Sequence, residues 1–203
     1  MKLAIVDYGM GNIKSISTSL KYLGVDDIYL SSDYEVLRSA DKIILPGVGS
    51  FGEAMNKIKE RSLDKYLYEL VLEGSKPLLG ICLGMQLLSK SSNEGGDSLG
   101  LSMVDAEVRR FESNGIKIPH VGFNQVKINN DSKLYAGLLG EPDFYFTHSY
   151  KMTSDSNISA SYCEYGERFV ASFEKDNIAG VQFHPELSQR NGLKLLKNFI
   201  DNF

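Results

Sequence analysis

Apolar residues in the first half of the chain follow two alternating rhythms. Largely apolar runs at residues 3–6, 28–30, 42–45 and 77–81 have the length of buried strands. Between them, apolar positions recur three or four apart. Ile13, Ile16, Leu20 and Leu23 predict a helix closing near Gly24, and a longer helical stretch is predicted over residues 53–73. Residues 85–90 have the composition of a further short helix. Strands and helices in alternation predict right-handed βαβ units and a mostly parallel sheet flanked by helices.

The second half changes rhythm. Residues 102–111, 122–128, 144–146, 158–162, 169–174 and 178–183 are strand-like with few helices between them, which predicts antiparallel strands extending the sheet. Leu193, Leu196, Phe199 and Ile200 predict an amphipathic C-terminal helix. With 203 residues, no internal repeat and no linker-like tract, the expectation is a single α/β domain over residues 1–203. Reactive groups of such a sheet collect beyond the carboxyl ends of its parallel strands.

Composition narrows the functional classes. A hydrophobic share of 42% and a charged share of 24% fit a packed core rather than disorder. With 22 basic against 26 acidic residues, a net charge of -4 and no basic block, no nucleic-acid partner is expected. Asp7 interrupts the first apolar run, so neither a signal peptide nor a membrane anchor is expected. Cys82 and Cys163 make no disulfide framework and no C-x-x-C zinc signature, and a reducing cytoplasm is the expected setting.

One of those thiols has a distinctive setting. Gly80-Ile81-Cys82-Leu83-Gly84 follows a buried strand and precedes a helix, in the G-x-C-x-G form of a nucleophile elbow. Side chains two residues either side of the nucleophile collide with neighbouring backbone in such a turn, which calls for glycine. The sulfur then points at a helix N-terminus, where thiolate is favoured, and the N–H of Leu83 is placed to donate to an oxyanion. The alternative is a small buried hydrophobe, the commoner fate of a free cysteine and the expected one for Cys163.

A cysteine nucleophile needs a base and a group that orients the base. His184 closes an apolar strand and precedes Pro185, which keeps it extended. In an extended chain residue 186 lies on the same side, so the Glu186 carboxylate can hold the imidazole. His148, which also ends a strand but lacks an acidic neighbour, is the rival base, and His120 is expected to be structural or interfacial. Pro46-Gly47-Val48-Gly49 follows the third strand and either supplies a second oxyanion donor from Val48 or Gly49 or is simply a turn. Gln86, one helical turn beyond Cys82, either reads a polar substrate group or is solvated. Gly9-Met10-Gly11 lacks the third glycine and the acidic residue of a dinucleotide site.

In this order and spacing, Gly80-Ile81-Cys82-Leu83-Gly84-Met85-Gln86 and Phe183-His184-Pro185-Glu186 resemble the two hallmarks of class I glutamine amidotransferases. Four further stretches are similar to the glutaminase subunits of imidazole glycerol phosphate synthase, and the likeness runs over essentially the whole chain. They are Asp7-Tyr8-Gly9-Met10-Gly11-Asn12, Leu45-Pro46-Gly47-Val48-Gly49-Ser50-Phe51-Gly52, Pro119-His120-Val121-Gly122-Phe123-Asn124 and Tyr145-Phe146-Thr147-His148-Ser149-Tyr150. The resemblance implies that Cys82, His184 and Glu186 form a triad hydrolysing L-glutamine to glutamate and ammonia. Val48, Gly49 and Leu83 would surround the oxyanion, and Gln86, Thr147, His148 and Ser149 would hold the substrate. It implies no cofactor and no metal.

The resemblance also implies a partner subunit, a (β/α)8-barrel cyclase in a heterodimer, that receives the ammonia in histidine biosynthesis. The 46–49 backbone is then a candidate switch for glutaminase activity. Two residues depart from the family pattern on the docking face: Leu187 stands where a basic residue is usual, and Phe123 where a tryptophan is usual. They keep open a paralogue that feeds ammonia to a sugar amidotransferase making acetamidino groups. The glutaminase subunit of pyridoxal phosphate synthase, a partner-independent thiol hydrolase and an inactive binding module are further alternatives.

Overall fold

The computed structural model describes residues 1–112 and 115–203. The first half forms β1 (Lys2–Val6), α1 (Ile13–Tyr22), β2 (Asp27–Ser31), α2 (Tyr34–Ser39), β3 (Lys42–Leu45), α3 (Phe51–Glu60), α4 (Leu63–Leu67), a π-helical segment (Tyr68–Glu73), β4 (Leu78–Ile81) and α5 (Leu83–Leu87). The second half adds β5 (Ser91–Ser92), β6 (Ser98–Leu99), β7 (Glu107–Arg110), β8 (His120–Gln125), β9 (Asp143–His148), β10 (Tyr150–Thr153), β11 (Ser161–Tyr165), β12 (Glu167–Lys175), β13 (Ile178–Val181), a 3₁₀ turn (Pro185–Leu187) and α6 (Gln189–Asn202).

Among the described residues, the main sheet runs β2-β1-β3-β4-β13-β12-β10-β7-β5-β6, with β11 paired to β12. The first five strands are parallel, and the three pairings from β13 to β7 are antiparallel. The parallel strands are apolar without alternation because both faces are covered. On one face Ala4, Val6, Ile43, Leu45 and Leu78 pack with Leu37, Phe51, Ile58, Leu67 and Met85 from α2 to α5. On the other, Leu3, Ile5, Ile44, Leu79 and Val181 meet Ile16 and Leu20 of α1 and Leu195, Leu196 and Phe199 of α6. Each of those three α6 side chains is fully buried, worth roughly 1.5–3 kcal/mol apiece.

Four sequence expectations change. The helix predicted over 53–73 breaks at Ser62, whose φ of 56° is left-handed, and resumes as α4 and the π-helical segment. The apolar spacing is consistent with the break, because Ile58 and Leu63, five residues apart, would fall on different faces of one continuous helix. The strand predicted over 102–111 shrinks to β7. Its first residues instead cap α5, with Met103 and Val104 N–H donating to the Leu88 carbonyl at 2.9 and 3.1 Å.

Strands β8 and β9 do not extend the sheet; they form a separate antiparallel ribbon. The last strand, β13, is inserted parallel beside β4 rather than antiparallel at the edge. This last change matters most for the site. Register pairs Val181 with Ile81, and the Cys82 N–H donates to the Val181 carbonyl at 2.8 Å. The segments following β4 and β13 therefore emerge side by side at one end of the sheet.

Candidate active site

Cys82 occupies the turn between β4 and α5 with φ 54° and ψ −113°, a conformation a non-glycine residue adopts only under constraint. The flanking glycines supply it. A Cβ on Gly84 would lie 1.9 Å from the Leu45 carbonyl oxygen, and one on Gly80 would lie 2.8 Å from the Met85 backbone. Strand and helix thus approach too closely for side chains, and the sulfur sits at the first turn of α5.

His184 follows β13 in an extended conformation, φ −97° and ψ 97°, with Pro185 opening the 3₁₀ turn. Its N–H donates to the Tyr145 carbonyl at 2.8 Å, and the Ser188 hydroxyl donates to its carbonyl at 2.6 Å. Its Nδ1 lies 2.8 Å from Glu186 Oε1, and both side chains are buried. Asn12 Nδ2 donates to the same oxygen at 3.2 Å. Nε2 makes no hydrogen bond of ordinary geometry and is left for the neighbouring Cys82 sulfur. Burial pulls this imidazole down, but Cys82 and then Glu186 outweigh it and hold the group at about 10.

A cavity of about 380 Å³ opens above these groups, within the usual range for small-molecule sites. Cys82, Leu83, Gln86, Val48, Gly49, Thr147, His148, Ser149 and His184 all line it, so every site residue expected from sequence reaches the pocket except Glu186, which stands behind His184. Glu94, Pro119 and Tyr150 complete the wall. Gly49 has φ +100°, a region that L side chains avoid. The Tyr8 hydroxyl donates to the Pro46 carbonyl at 2.7 Å and anchors the start of the Pro46–Gly49 loop from below. Burial, with Cys82 nearby, pushes that phenol well above its ordinary range.

The rival base has no free nitrogen. His148 Nδ1 lies 2.7 Å from the Tyr150 carbonyl and must donate to it, so Nε2, 3.1 Å from His120 Nδ1, is the acceptor. Burial lowers His148 to about 3 and His120 to about 4, and His120 stacks between Phe146 and Tyr165. Cys163 is buried among apolar side chains, and burial pushes its thiol up to about 12.

Gln86 is neither solvated nor wholly free for a ligand. Both its amide hydrogens are engaged, by the Tyr150 carbonyl at 3.0 Å and by Gln182 Oε1 at 2.8 Å. Sequence reading missed Asn12, Tyr8 and Gln182. The first two lie in the Asp7–Asn12 stretch, and Gln182 stands directly before Phe183-His184-Pro185-Glu186, so both segments carried the signal without the contacts.

Among the described residues, no group of three potential metal-ligating side chains is assembled, and no helix is long and apolar enough to cross a membrane.

The chain is similar in sequence and fold to a coherent set of proteins. It is 45% identical over 201 residues to imidazole glycerol phosphate synthase subunit HisH of Aquifex aeolicus (strain VF5), covering 98% of this chain and 96% of that one. It is 46% identical over 200 residues to subunit HisH 2 of Methanococcus maripaludis, covering 98% of each. Among solved structures, a glutamine amidotransferase superposes with TM-score 0.77 at 20% identity, covering 98% of this chain and 97% of that one. The PurLQS structure from Thermotoga maritima gives TM-score 0.71 at 17% identity, covering 98% and 97%; at such identities the likeness is one of fold. The model of the family "Glutamine amidotransferase class-I" matches residues 4–203, and the chain belongs to that family.

Proposed function

We propose that this chain is the glutaminase subunit of an imidazole glycerol phosphate synthase, with Cys82 as nucleophile, His184 as acid and base, and Glu186 as its orienter. The observation that carries the reading is the meeting of Cys82 and His184 in one pocket, each at the end of one of two adjacent parallel strands. Similarity to HisH subunits over nearly the full chain supports the assignment to histidine biosynthesis, and the free thiols suit the cytoplasm.

Cys82 attacks the side-chain amide carbon of glutamine. The negative charge that develops on oxygen is received by the Leu83 N–H and by an amide of the Val48–Gly49 segment. His184, held protonated, gives its proton to the departing ammonia, leaving a γ-glutamyl thioester. It then takes a proton from water, which attacks the thioester and releases glutamate. Gln86 keeps its carbonyl oxygen for the substrate, with Thr147, His148 and Ser149 forming the opposite wall. No residue of this sequence needs a metal or cofactor to do so.

Ammonia released into neutral water is protonated and no longer nucleophilic, so the synthase subunit must receive it directly. We assign that role to a (β/α)8-barrel cyclase bound as a heterodimer over the pocket. Leu187 and Phe123 favour considering one second reading, a sugar amidotransferase as acceptor. The test is covalent labelling of Cys82 by 6-diazo-5-oxo-L-norleucine, followed by glutaminase and ammonia-transfer assays with each partner. Stimulated glutamate release with the cyclase, lost in Cys82→Ala, is expected. Labelling elsewhere, or full turnover by Cys82→Ala with the cyclase present, overturns the proposal.

A further inference from the structure

The interior behind the nucleophile holds a polar chain that the triad does not explain. Gln182 is fully buried at the end of β13. Its Nε2 lies 3.8 Å from Cys82 Sγ, a normal reach for a sulfur acceptor, and its Oε1 accepts from Gln86 at 2.8 Å. Gln86 in turn donates to the Tyr150 carbonyl at 3.0 Å.

The direction of this chain is dictated at its far end. A backbone carbonyl can only accept, so Gln86 must turn its NH₂ toward Tyr150. The second hydrogen of the same NH₂ then meets Gln182, which must present its oxygen. Gln182 is left with only its NH₂ for the sulfur. A flipped Gln86 would set its oxygen against the Tyr150 carbonyl, and a flipped Gln182 would set its NH₂ against that of Gln86, in a buried space. Orientation is therefore built in rather than chosen by the sulfur.

We propose that Gln182 is a further catalytic residue of the glutaminase site, donating a hydrogen bond that favours the thiolate of Cys82, with Tyr150 and Gln86 fixing the polarity of that donor. The proposal rests on the reading of Cys82 as nucleophile. A donor to the charged form stabilises it, and a buried donor does so without solvent screening. The contact also ties the nucleophile to the pocket wall. Gln86 lines the cavity and bonds to Tyr150 beside Thr147, His148 and Ser149, so anything that displaces Gln86 releases the constraint on Gln182.

Iodoacetamide alkylation of Cys82 in the full chain, followed by mass spectrometry of the Cys82 peptide across pH, reads the thiolate without depending on glutamine turnover. Gln182→Met removes the donor and keeps the volume. The pH of half-maximal alkylation is expected to rise by roughly half to one unit, slowing the reaction about three- to tenfold at a fixed pH below it.

Gln182→Glu keeps the shape but accepts from Gln86 and turns an oxygen toward the sulfur. It is expected to raise the midpoint further. If Gln182→Met does not fold, Gln182→Glu alone decides. Equal midpoints in a folded variant overturn the proposal, as does a Gln182→Glu protein that matches the parent, since that assigns Gln182 to packing. A parent chain that releases no glutamate with the cyclase present, while the variants still shift the midpoint, would count against the proposed reaction and leave the Gln182 contact standing.

Discussion

The three imidazoles of this chain have been driven to opposite extremes by their neighbours. His184 is held at about 10 against burial by Cys82 and Glu186, whereas burial lowers His120 to about 4 and His148 to about 3. No histidine should therefore titrate between about pH 5 and pH 8, where an ordinary one changes charge near 6.5. Imidazole C–H resonances followed by NMR across that range are expected to stay flat, and Cys82→Ser should move the His184 transition downward.

The signs for stability are opposite. His184, with its folded value raised, contributes stability that is complete below about pH 6.5 and is lost as pH rises through about 10. His120 and His148 stay neutral when folded, so the unfolded chain binds more protons and stability falls as pH drops from about 6.5 through their folded values. The histidine contribution to the melting temperature is expected to peak near pH 6.5, with the acid limb flattened in His148→Gln.

At this scale Cys82, His184 and Glu186 were legible because short local motifs position them. Gln86 was legible as a pocket residue, but its two amide contacts were not, since both go to residues distant in sequence.

Elements explain why the elbow has the sequence it has. α5 is only five residues long, and it meets β3 at Gly84 and β4 at Gly80 backbone against backbone. With the Leu45 carbonyl 1.9 Å from a hypothetical Cβ, Gly84→Ala must push α5 away from β3 and carry Cys82 and Leu83 with it. A loss of about 3–5 kcal/mol is expected, because neither clashing partner is a flexible side chain. Urea titration followed by circular dichroism measures it.

Gly49→Val tests the opposite case. The clash there is with the end of the Met10 side chain, 2.7 Å away, which can move, while a φ of +100° cannot be kept by a β-branched residue. Stability should fall by only about 1–2 kcal/mol, but the partner-stimulated glutaminase rate should be lost; an undiminished rate would remove the 46–49 loop from the mechanism. Elements themselves were legible where one face or both is apolar. Two escaped. α2 buries only Leu37, and β10 hides its strand character behind Lys151, which is buried against Glu167 and over the Phe111 ring.

On the scale of the whole molecule, the departure of β8 and β9 from the main sheet has a consequence for assembly. A ribbon that extended the sheet would bury its outer edge among neighbours. Standing apart, it leaves Val121 and Phe123 56% and 49% exposed on the strand paired with Thr147 and Tyr145, next to the pocket wall. Leu187, 41% exposed, lies on the turn that follows His184, and Val48, 42% exposed, lines the opposite lip.

Exposed apolar side chains around the mouth of a site mark a surface that a partner covers, and the proposed synthase subunit must cover this mouth to keep ammonia from water. Nothing in residue spacing could show this, because exposure of β8 follows from which strand it pairs with. Phe123, packed edge-on against Tyr145 with ring centroids 5.6 Å apart, is a half-exposed aromatic on that rim, the type of residue that anchors interfaces. Phe123→Asp is expected to weaken binding of the proposed cyclase partner at least tenfold, about 1.4 kcal/mol, while leaving the melting temperature of the isolated chain within a degree or so of its parent. Tyr22→Asp, at the far end of α1 from Asn12 and 77% exposed, should leave the affinity unchanged. Isothermal titration calorimetry of both variants against the cyclase decides it, and equal affinities would move the docking surface off this rim.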